Sequence, residues 1–162
     1  MRKTNLSIMV LLGLLTALPA HAKTLEISGQ MSWGGFVEPP LITQTPSNIY
    51  FDVHQIWNFE GGLEGAYDEF AVAKINVRSQ KGIAHPTGTY TGSIDGQSGT
   101  MQFEFVGQIE AVDLQNNAFT AHFEALMNEG TEGLEGWVCF IRGDAVLFQS
   151  GTYSGFCVVP ND

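Results

Sequence analysis

Two of the three histidines outside the N-terminal segment lie close in sequence to carboxylates that could share acid-base or metal chemistry with them. Asp52 lies two residues before His54, and Glu124 lies two residues after His122. Residues two apart on a β-strand share a face, so each pair could offer two ligands to one ion. A metal site needs further convergent ligands, and His85 precedes a proline in a predicted loop. We therefore expect no metal and no other cofactor.

Acidic residues form two clusters beside glycine-rich segments. One contains Glu60, Glu64, Asp68 and Glu69, and the other lies within residues 129–135. Two carboxylates across a cleft can hydrolyse glycosides, but clustered acids also keep a surface soluble and protect strand edges from pairing. We predict surface positions for both clusters. The sequence contains no Gly-x-Ser-x-Gly nucleophile motif and no EF-hand calcium loop, so the catalytic residues, if any, stay unknown.

The two cysteines, Cys139 and Cys157, are even in number and lie in the C-terminal part of the chain. In an oxidising compartment an even count favours a disulfide, whose loop would here stabilise the fold by about 3 kcal/mol. A reactive thiol pair and a metal site are the alternatives. Neither has a Cys-x-x-Cys motif or a histidine nearby in sequence to support it.

Residues 1–22 have the features of a secretory signal peptide. Arg2 and Lys3 precede an apolar run over residues 8–18, and Ala20-His21-Ala22 fits a cleavage site. The apolar run is shorter than the ~20 residues of a membrane-spanning helix. We predict cleavage near Ala22, export to the periplasm or the medium, and one mature domain over residues 23–162.

Composition and charge exclude several classes of protein. The 162 residues are 44% hydrophobic and only 15% charged, which is not the balance of a disordered chain or a coiled coil. The net charge is −10, and loss of Arg2 and Lys3 with the signal makes it −12. Nucleic acid is therefore not an expected partner, because binding phosphates needs clustered cations. No stretch of the mature chain is apolar enough to span a membrane as a helix, and the sequence does not reveal an oligomeric state.

Hydrophobic residues alternate with polar ones along most of the mature chain. The alternation is clearest in residues 49–60, 101–110 and 119–127, and it is typical of strands with one buried face. Residues 119–127 also contain good helix formers, so a short helix is an alternative there. Shorter candidate strands cover residues 24–28, 69–77, 87–94, 134–141, 145–149 and 152–159.

Turn signals separate these predicted strands. Residues 95–99 and the tripeptide Arg142-Gly143-Asp144 indicate hairpin loops, while residues 38–48 contain three prolines and predict an irregular stretch. About eight hairpin-linked strands predict an all-β domain. The recurring glycines favour a closed eight-stranded antiparallel barrel, and a β-sandwich is the alternative.

Four glycine-rich motifs in order suggest a family. They are residues 59–65 (Phe-Glu-Gly-Gly-Leu-Glu-Gly), residues 88–100, residues 130–136 and residues 151–155 (Gly-Thr-Tyr-Ser-Gly). This arrangement resembles the allene oxide cyclase-like barrel superfamily, which includes the plant dirigent proteins and small bacterial proteins of unknown role. The resemblance implies an eight-stranded barrel with a largely apolar central cavity. Members with known roles hold a small hydrophobic molecule and steer its cyclisation or coupling.

The apolar side of the alternation supplies candidate ligand-lining residues. An aromatic cavity for a hydrophobic ligand is one interpretation, and a fully packed core is the other. Gln55 is a clearly polar residue on the inner side of its strand, and a buried amide needs a partner. The candidates are Phe51, Gln55, Trp57, Tyr90, Phe103, Phe105, Phe123 and Tyr153.

Three functions follow as hypotheses. The first is an exported barrel that binds a small hydrophobic molecule in an aromatic-lined cavity. The second is a cofactor-free isomerase or cyclase acting on a hydrophobic substrate. The third is a structural or interaction protein with a filled barrel, whose exposed aromatic patch would come from Trp33-Gly34-Gly35-Phe36.

Overall fold

The structure, a computed structural model, describes residues 22–113 and 118–160. Within them no helix is long and apolar enough to cross a membrane. The predicted signal peptide lies outside the described residues, apart from Ala22 at its end. The strands are β1 (Lys23–Phe36), β2 (Leu41–Gln44), β3 (Asn48–Gly61), β4 (Leu63–Asn76), β5 (Lys81–Ile94), β6 (Gln97–Asp113), β7 (Ala118–Asn128), β8 (Val138–Val146) and β9 (Ser150–Val159).

Eight of these strands form a closed antiparallel barrel, which confirms the predicted fold. Each of β3 to β8 pairs with the next strand in sequence, β9 pairs with β1, and β1 pairs with β3 to close the circle. All nine strands of the described residues thus belong to one closed sheet, which excludes the sandwich. The short β2 is an extra strand that pairs with the first residues of β3, in line with β1. β1 and β2 are separated by a segment that contains Pro39 and Pro40, because proline has no N–H to donate to the hydrogen bonds between strands.

Several strands are longer than the alternation predicts. β4 begins at Leu63 instead of at Glu69, and β5 begins at Lys81, so His85 lies in a strand and not in a loop. The predicted hairpin at Arg142-Gly143-Asp144 is wrong, because β8 runs through it and turns only after Val146. A Cβ at Gly143 would collide with the Phe123 ring, so the glycine makes room inside the barrel rather than a turn.

The barrel interior consists of two hydrophobic clusters, one towards each end. The cluster at the end where β1 begins and β9 ends is densely aromatic, and a short 3-10 helix, Glu132–Leu134, adds the fully buried Leu134. This closed half contains Phe59, Tyr67, Tyr90, Phe103, Met127 and Tyr153. The opposite cluster has smaller members, among them Ala73, Ala84 and Ala121. Aromatic rings fill the first end, whereas alanines leave space towards the second.

The tyrosines of the repeated Gly-Thr-Tyr motif anchor the closed half. The Tyr153 hydroxyl accepts a hydrogen bond from the Leu63 N–H at 2.7 Å and lies 3.2 Å from the Glu60 carbonyl oxygen. The Tyr90 hydroxyl donates to the Ser93 carbonyl at 2.9 Å. Burial raises the pKa of both phenols, so both stay neutral donors and acceptors. Tyr153 therefore joins β9 to the adjoining ends of β3 and β4, whereas Tyr90 bonds within its own strand, β5.

The predicted disulfide between Cys139 and Cys157 is confirmed. The two residues lie directly opposite each other on β8 and β9, and both are fully buried in the closed half. The bond joins two neighbouring strands of the barrel wall. Such bonds persist in oxidising compartments, so the pairing favours an exported protein.

Candidate functional site

A partly open cavity of about 70 Å³ lies inside the barrel, towards the end where β8 turns into β9. Small side chains make room for it, and aromatic rings form much of its wall. The small residues are Ala71, Ala73, Ala84, Gly107, Ala121 and Ala145. The aromatic residues are Phe51, Trp57, Phe105, Phe119, Phe123 and Phe148. The volume is about half of the ~150 Å³ of an engineered apolar cavity that binds benzene, so only a slender group can enter.

Two polar side chains, Gln55 and Glu69, face this apolar space. They lie directly opposite each other on β3 and β4, with only 4% and 2% of their surfaces exposed. Gln55 Nε2 donates to Glu69 Oε1 at 2.6 Å, and Trp33 Nε1 donates to Gln55 Oε1 at 3.0 Å. Because the indole N–H can only donate, it fixes the amide oxygen of Gln55 towards Trp33 and the amide NH₂ towards Glu69.

The second carboxyl oxygen of Glu69, Oε2, is buried. Among the residues that the structure describes, it has no hydrogen-bond partner. Burial raises the pKa of Glu69 from its usual 4.5 to about 7, although the hydrogen bond from Gln55 opposes the shift. The carboxyl group is therefore protonated in a substantial fraction of molecules at neutral pH. Such a group inside a cleft is a typical mark of a functional site.

A β-bulge in β1 positions the indole that begins this chain of hydrogen bonds. The register between β1 and β3 shifts between Trp33 and Gly35. Gly35 has a φ of 116°, a conformation that side chains with a Cβ rarely adopt. Bulges bend a strand and redirect its side chains, and here the bulge lies beside the indole that reaches Gln55.

Three aromatic rings cluster at the cavity end of the barrel. Trp33, Phe36 and Phe148 lie with ring centroids 5.0 to 5.7 Å apart. Phe148, in the β8–β9 turn, has a φ of 61°, which is strained for a residue with a side chain. Strained residues gather at ligand clamps and switches. Trp33 and Phe36 pack against Phe148, which lines the cavity. Phe36 stays 37% exposed, so the exposed aromatic patch of the third hypothesis remains a prediction.

Five of the eight candidate lining residues face the cavity. These are Phe51, Gln55, Trp57, Phe105 and Phe123. The other three, Tyr90, Phe103 and Tyr153, pack in the closed half. Strand parity placed six of the eight inside the barrel, and the repeated Gly-Thr-Tyr motif suggested Tyr90 and Tyr153. Neither signal distinguishes the packed end of the barrel from the open one.

Glu69 is the site residue that the sequence interpretation missed, because its acidic cluster was assigned to the surface. Glu60 and Glu64 are exposed on their strands, but Glu69 points inward. The signal is its position in β4, where it shares parity with Leu63, Tyr67 and Ala71. The outer side of the same strand carries Phe70 and Val72, 54% and 60% exposed, and this obscures the alternation.

His54 and His122 lie on the outer face of the barrel, as their parity predicted, and His85 is exposed on β5. His54 Nε2 is 2.6 Å from Asp68 Oδ1, and His122 Nδ1 is 2.9 Å from Asp144 Oδ1. His54 also stacks on Phe70 with ring centroids 4.0 Å apart. In the described ranges, 22–113 and 118–160, no group of three or more His, Cys, Asp or Glu residues could hold a metal ion.

The comparisons with known proteins support the fold of this chain and say nothing about its function. No family model and no curated protein matches the chain. Among solved structures, a protein of unknown function of the DUF3224 family from Shewanella oneidensis MR-1 superposes with a TM-score of 0.64 at 14% sequence identity. The match covers 86% of this chain and all of the other. At that identity the likeness shows a shared barrel architecture.

Proposed function

We propose that this protein binds a small hydrophobic molecule in the barrel cavity. The observation that carries the proposal is an apolar, aromatic-walled space that contains one orphaned polar atom, Glu69 Oε2. Cavities of this kind, with few convergent polar groups, are the usual form of ligand sites. The barrel resemblance in the glycine-rich motifs supports the same function, since characterised relatives of that superfamily hold hydrophobic molecules.

We further propose that the protein works outside the cytoplasm. The signal-like residues 1–22 and the buried disulfide support export. Cleavage after Ala22 would make Lys23, the first residue of β1, the new N-terminus. The intact mass of protein recovered from the periplasm or the medium tests this, and a mass that includes residues 1–22 contradicts it.

Filling the cavity is expected to abolish ligand binding. A suitable probe is 2-methyl-1-heptene, a slender molecule without a polar atom. In Ala121→Leu the added carbons project from β7 into the cavity, so we expect the probe to bind at least about tenfold more weakly than to the wild type. Titration of the indole N–H signals of Trp33 and Trp57 in ¹⁵N–¹H spectra measures the affinity.

The matched control for this variant is Thr120→Leu, which adds a leucine at the neighbouring position on the opposite face of β7. It should leave the affinity unchanged. If Ala121→Leu does not fold, Ala84→Leu fills the same space from β5. Equal affinities of the filled and the wild-type protein, or no saturable binding to the wild type, would overturn the proposed function.

A second candidate function is a cofactor-free isomerase, and the burial and pKa of Glu69 favour it. As a carboxylate, Oε2 would remove a proton from a carbon beside a carbonyl and return it to the same molecule, leaving its atoms unchanged in number. General acid-base groups with a pKa near the working pH are the effective ones.

This candidate predicts exchange of hydrogen for deuterium beside the carbonyl of 2-heptanone in D₂O. We expect the wild type to exchange at least about tenfold faster than Glu69→Gln, because positioned general bases contribute that much or more. Proton NMR of the ketone follows the exchange. Equal rates in both proteins at matched buffer concentration argue for binding without catalysis.

A further inference from the structure

The hydrogen-bond chain behind Glu69 decides where a proton on this carboxyl group lies. Gln55 presents its NH₂ to Oε1, since Trp33 holds the amide oxygen. Oε1 is therefore an acceptor in both protonation states. When the carboxyl is protonated, the proton is on Oε2, the oxygen without a partner. The protein thus places an O–H donor, not simply a negative charge, on a side chain that lines the cavity.

No cation faces this group from the described elements packed around it. Gln55 lies opposite on β3, Gly88 lies opposite on β5, and Phe105 of β6 lines the same cavity. Tyr67 is the inward-facing titratable neighbour on β4 itself, and its hydroxyl donates to the Phe103 carbonyl. Burial and the nearby acids raise the pKa of Tyr67, so it stays neutral. With no counter-ion, the apolar walls favour the protonated form of Glu69.

A buried O–H group without an acceptor is costly, so the missing partner is a hydrogen-bond acceptor. The small volume requires that this acceptor belong to a slender group, and because the cavity is partly open, an apolar remainder of the ligand can extend out of it. A carbonyl oxygen meets both requirements, because it accepts strongly and has no hydrogen of its own.

We propose that Glu69 recognises a carbonyl group, so that the ligands of this barrel are slender ketones or aldehydes with an apolar tail. Oε2–H donates to the carbonyl oxygen, while Gln55 and Trp33 act as positioning residues that hold the carboxyl in this orientation. This inference rests on the proposed function, since it names the ligand class of the same cavity. Binding a carbonyl then takes up one proton whenever Glu69 is ionised beforehand.

Three probes of matched shape test the proposal: 2-heptanone, 2-methyl-1-heptene, which replaces the carbonyl oxygen by a methylene group, and 2-aminoheptane, which offers a cationic donor. In the wild type at about pH 5.5 the ketone should bind about tenfold more tightly than the alkene, as one hydrogen bond allows. At about pH 8.5, where the carboxylate prevails, this preference should fall to about twofold or less.

Two variants separate the donor from the shape of the site. In Glu69→Gln the side-chain oxygen of the new residue still accepts the hydrogen bond from Gln55. This leaves the amide NH₂ of the new residue in the place of Oε2, where it can donate at every pH. The ketone preference should therefore persist at both pH values. In Glu69→Leu it should vanish at both. Because Trp33 reports on the binding, its indole signal also shows whether the hydrogen-bond chain is intact in each variant.

The outcomes distinguish failure of this inference from failure of the proposed function. One outcome is that the alkene binds but the ketone binds no more tightly at low pH, and another is that the ketone preference persists in Glu69→Leu. In either case carbonyl recognition by Glu69 is wrong, while the cavity still binds ligands. Tightest binding of 2-aminoheptane at high pH, lost in Glu69→Gln, would make Glu69 an anionic acceptor instead. If none of the three binds to the wild type, the proposed function itself fails.

Discussion

The free energy of unfolding of the wild-type protein is expected to fall by about 3 kcal/mol between pH 4 and pH 8, relative to the Glu69→Gln variant. The cause is the raised pKa of Glu69, about 7 in the folded protein against the usual 4.5. Between these values the folded state holds a proton that the unfolded chain releases. Stability is therefore lost as the pH rises from about 4.5 to about 7, and it is constant above that range.

Urea unfolding of both proteins across this pH range, with the disulfide intact, measures the difference. The glutamine keeps the shape of the side chain and its bond to Gln55 but does not titrate, so subtracting its profile removes the contribution of every other acid. A second control, Glu64→Gln on the exposed face of the same strand, should follow the wild-type profile. Parallel profiles for wild type and Glu69→Gln would show that Glu69 titrates as an exposed acid does.

The alternation of apolar and polar residues predicted the barrel well where the outer face is polar. Residues 101–110 and 119–127 alternate cleanly, and both lie in strands with the predicted faces inside. The helix considered for residues 119–127 does not form, since these residues pair with β6 and β8. Local helix propensity is overridden here by burial of every second side chain.

The alternation failed where the outer face of the barrel is apolar. Phe70 and Val72 point outward from β4, so parity counted from Glu69 alone gives no clear inner face. Counting from Leu63 resolves it, because Leu63, Tyr67 and Ala71 then share the inner side with Glu69. A buried acid is rare enough that composition alone assigns it to the surface, and only its register along the whole strand reveals it.

The cavity could not be predicted from parity, because parity says which side chains point inward and not how much space they fill. The open half is marked by small inward residues such as Ala73, Ala84 and Ala121, whereas the closed half has Phe59 and Phe103 at equivalent depth. Summing the volumes of the inward-facing side chains along each strand would have distinguished the two halves of the barrel. The hydrogen bond from Trp33 to Gln55 could not be predicted even from such volumes, because it depends on the bulge at Gly35.

The packed half of the barrel is expected to carry most of the stability. Phe103 is fully buried, with ring centroids 4.4 Å from Tyr67 and 5.9 Å from Phe59. Replacing it by alanine removes these contacts and opens a cavity in a dense cluster, so Phe103→Ala should lower the free energy of unfolding by about 4 kcal/mol. Urea unfolding at a pH above about 8, where Glu69 is ionised in both the folded and the unfolded state, gives the value directly.

Phe119→Ala is the matched comparison, because it deletes the same atoms from an equally buried ring in the other half. Phe119 packs on Phe51 at 5.7 Å, but it also borders the cavity. Part of its ring thus already lacks contacts, and the loss should be smaller than for Phe103 by ~1 kcal/mol or more. Equal losses, or a larger one for Phe119, would contradict a division into a packed and an open half. The expected order means that side chains around the ligand space can change at a smaller cost to the fold than those of the aromatic cluster, which contributes more to holding the barrel together.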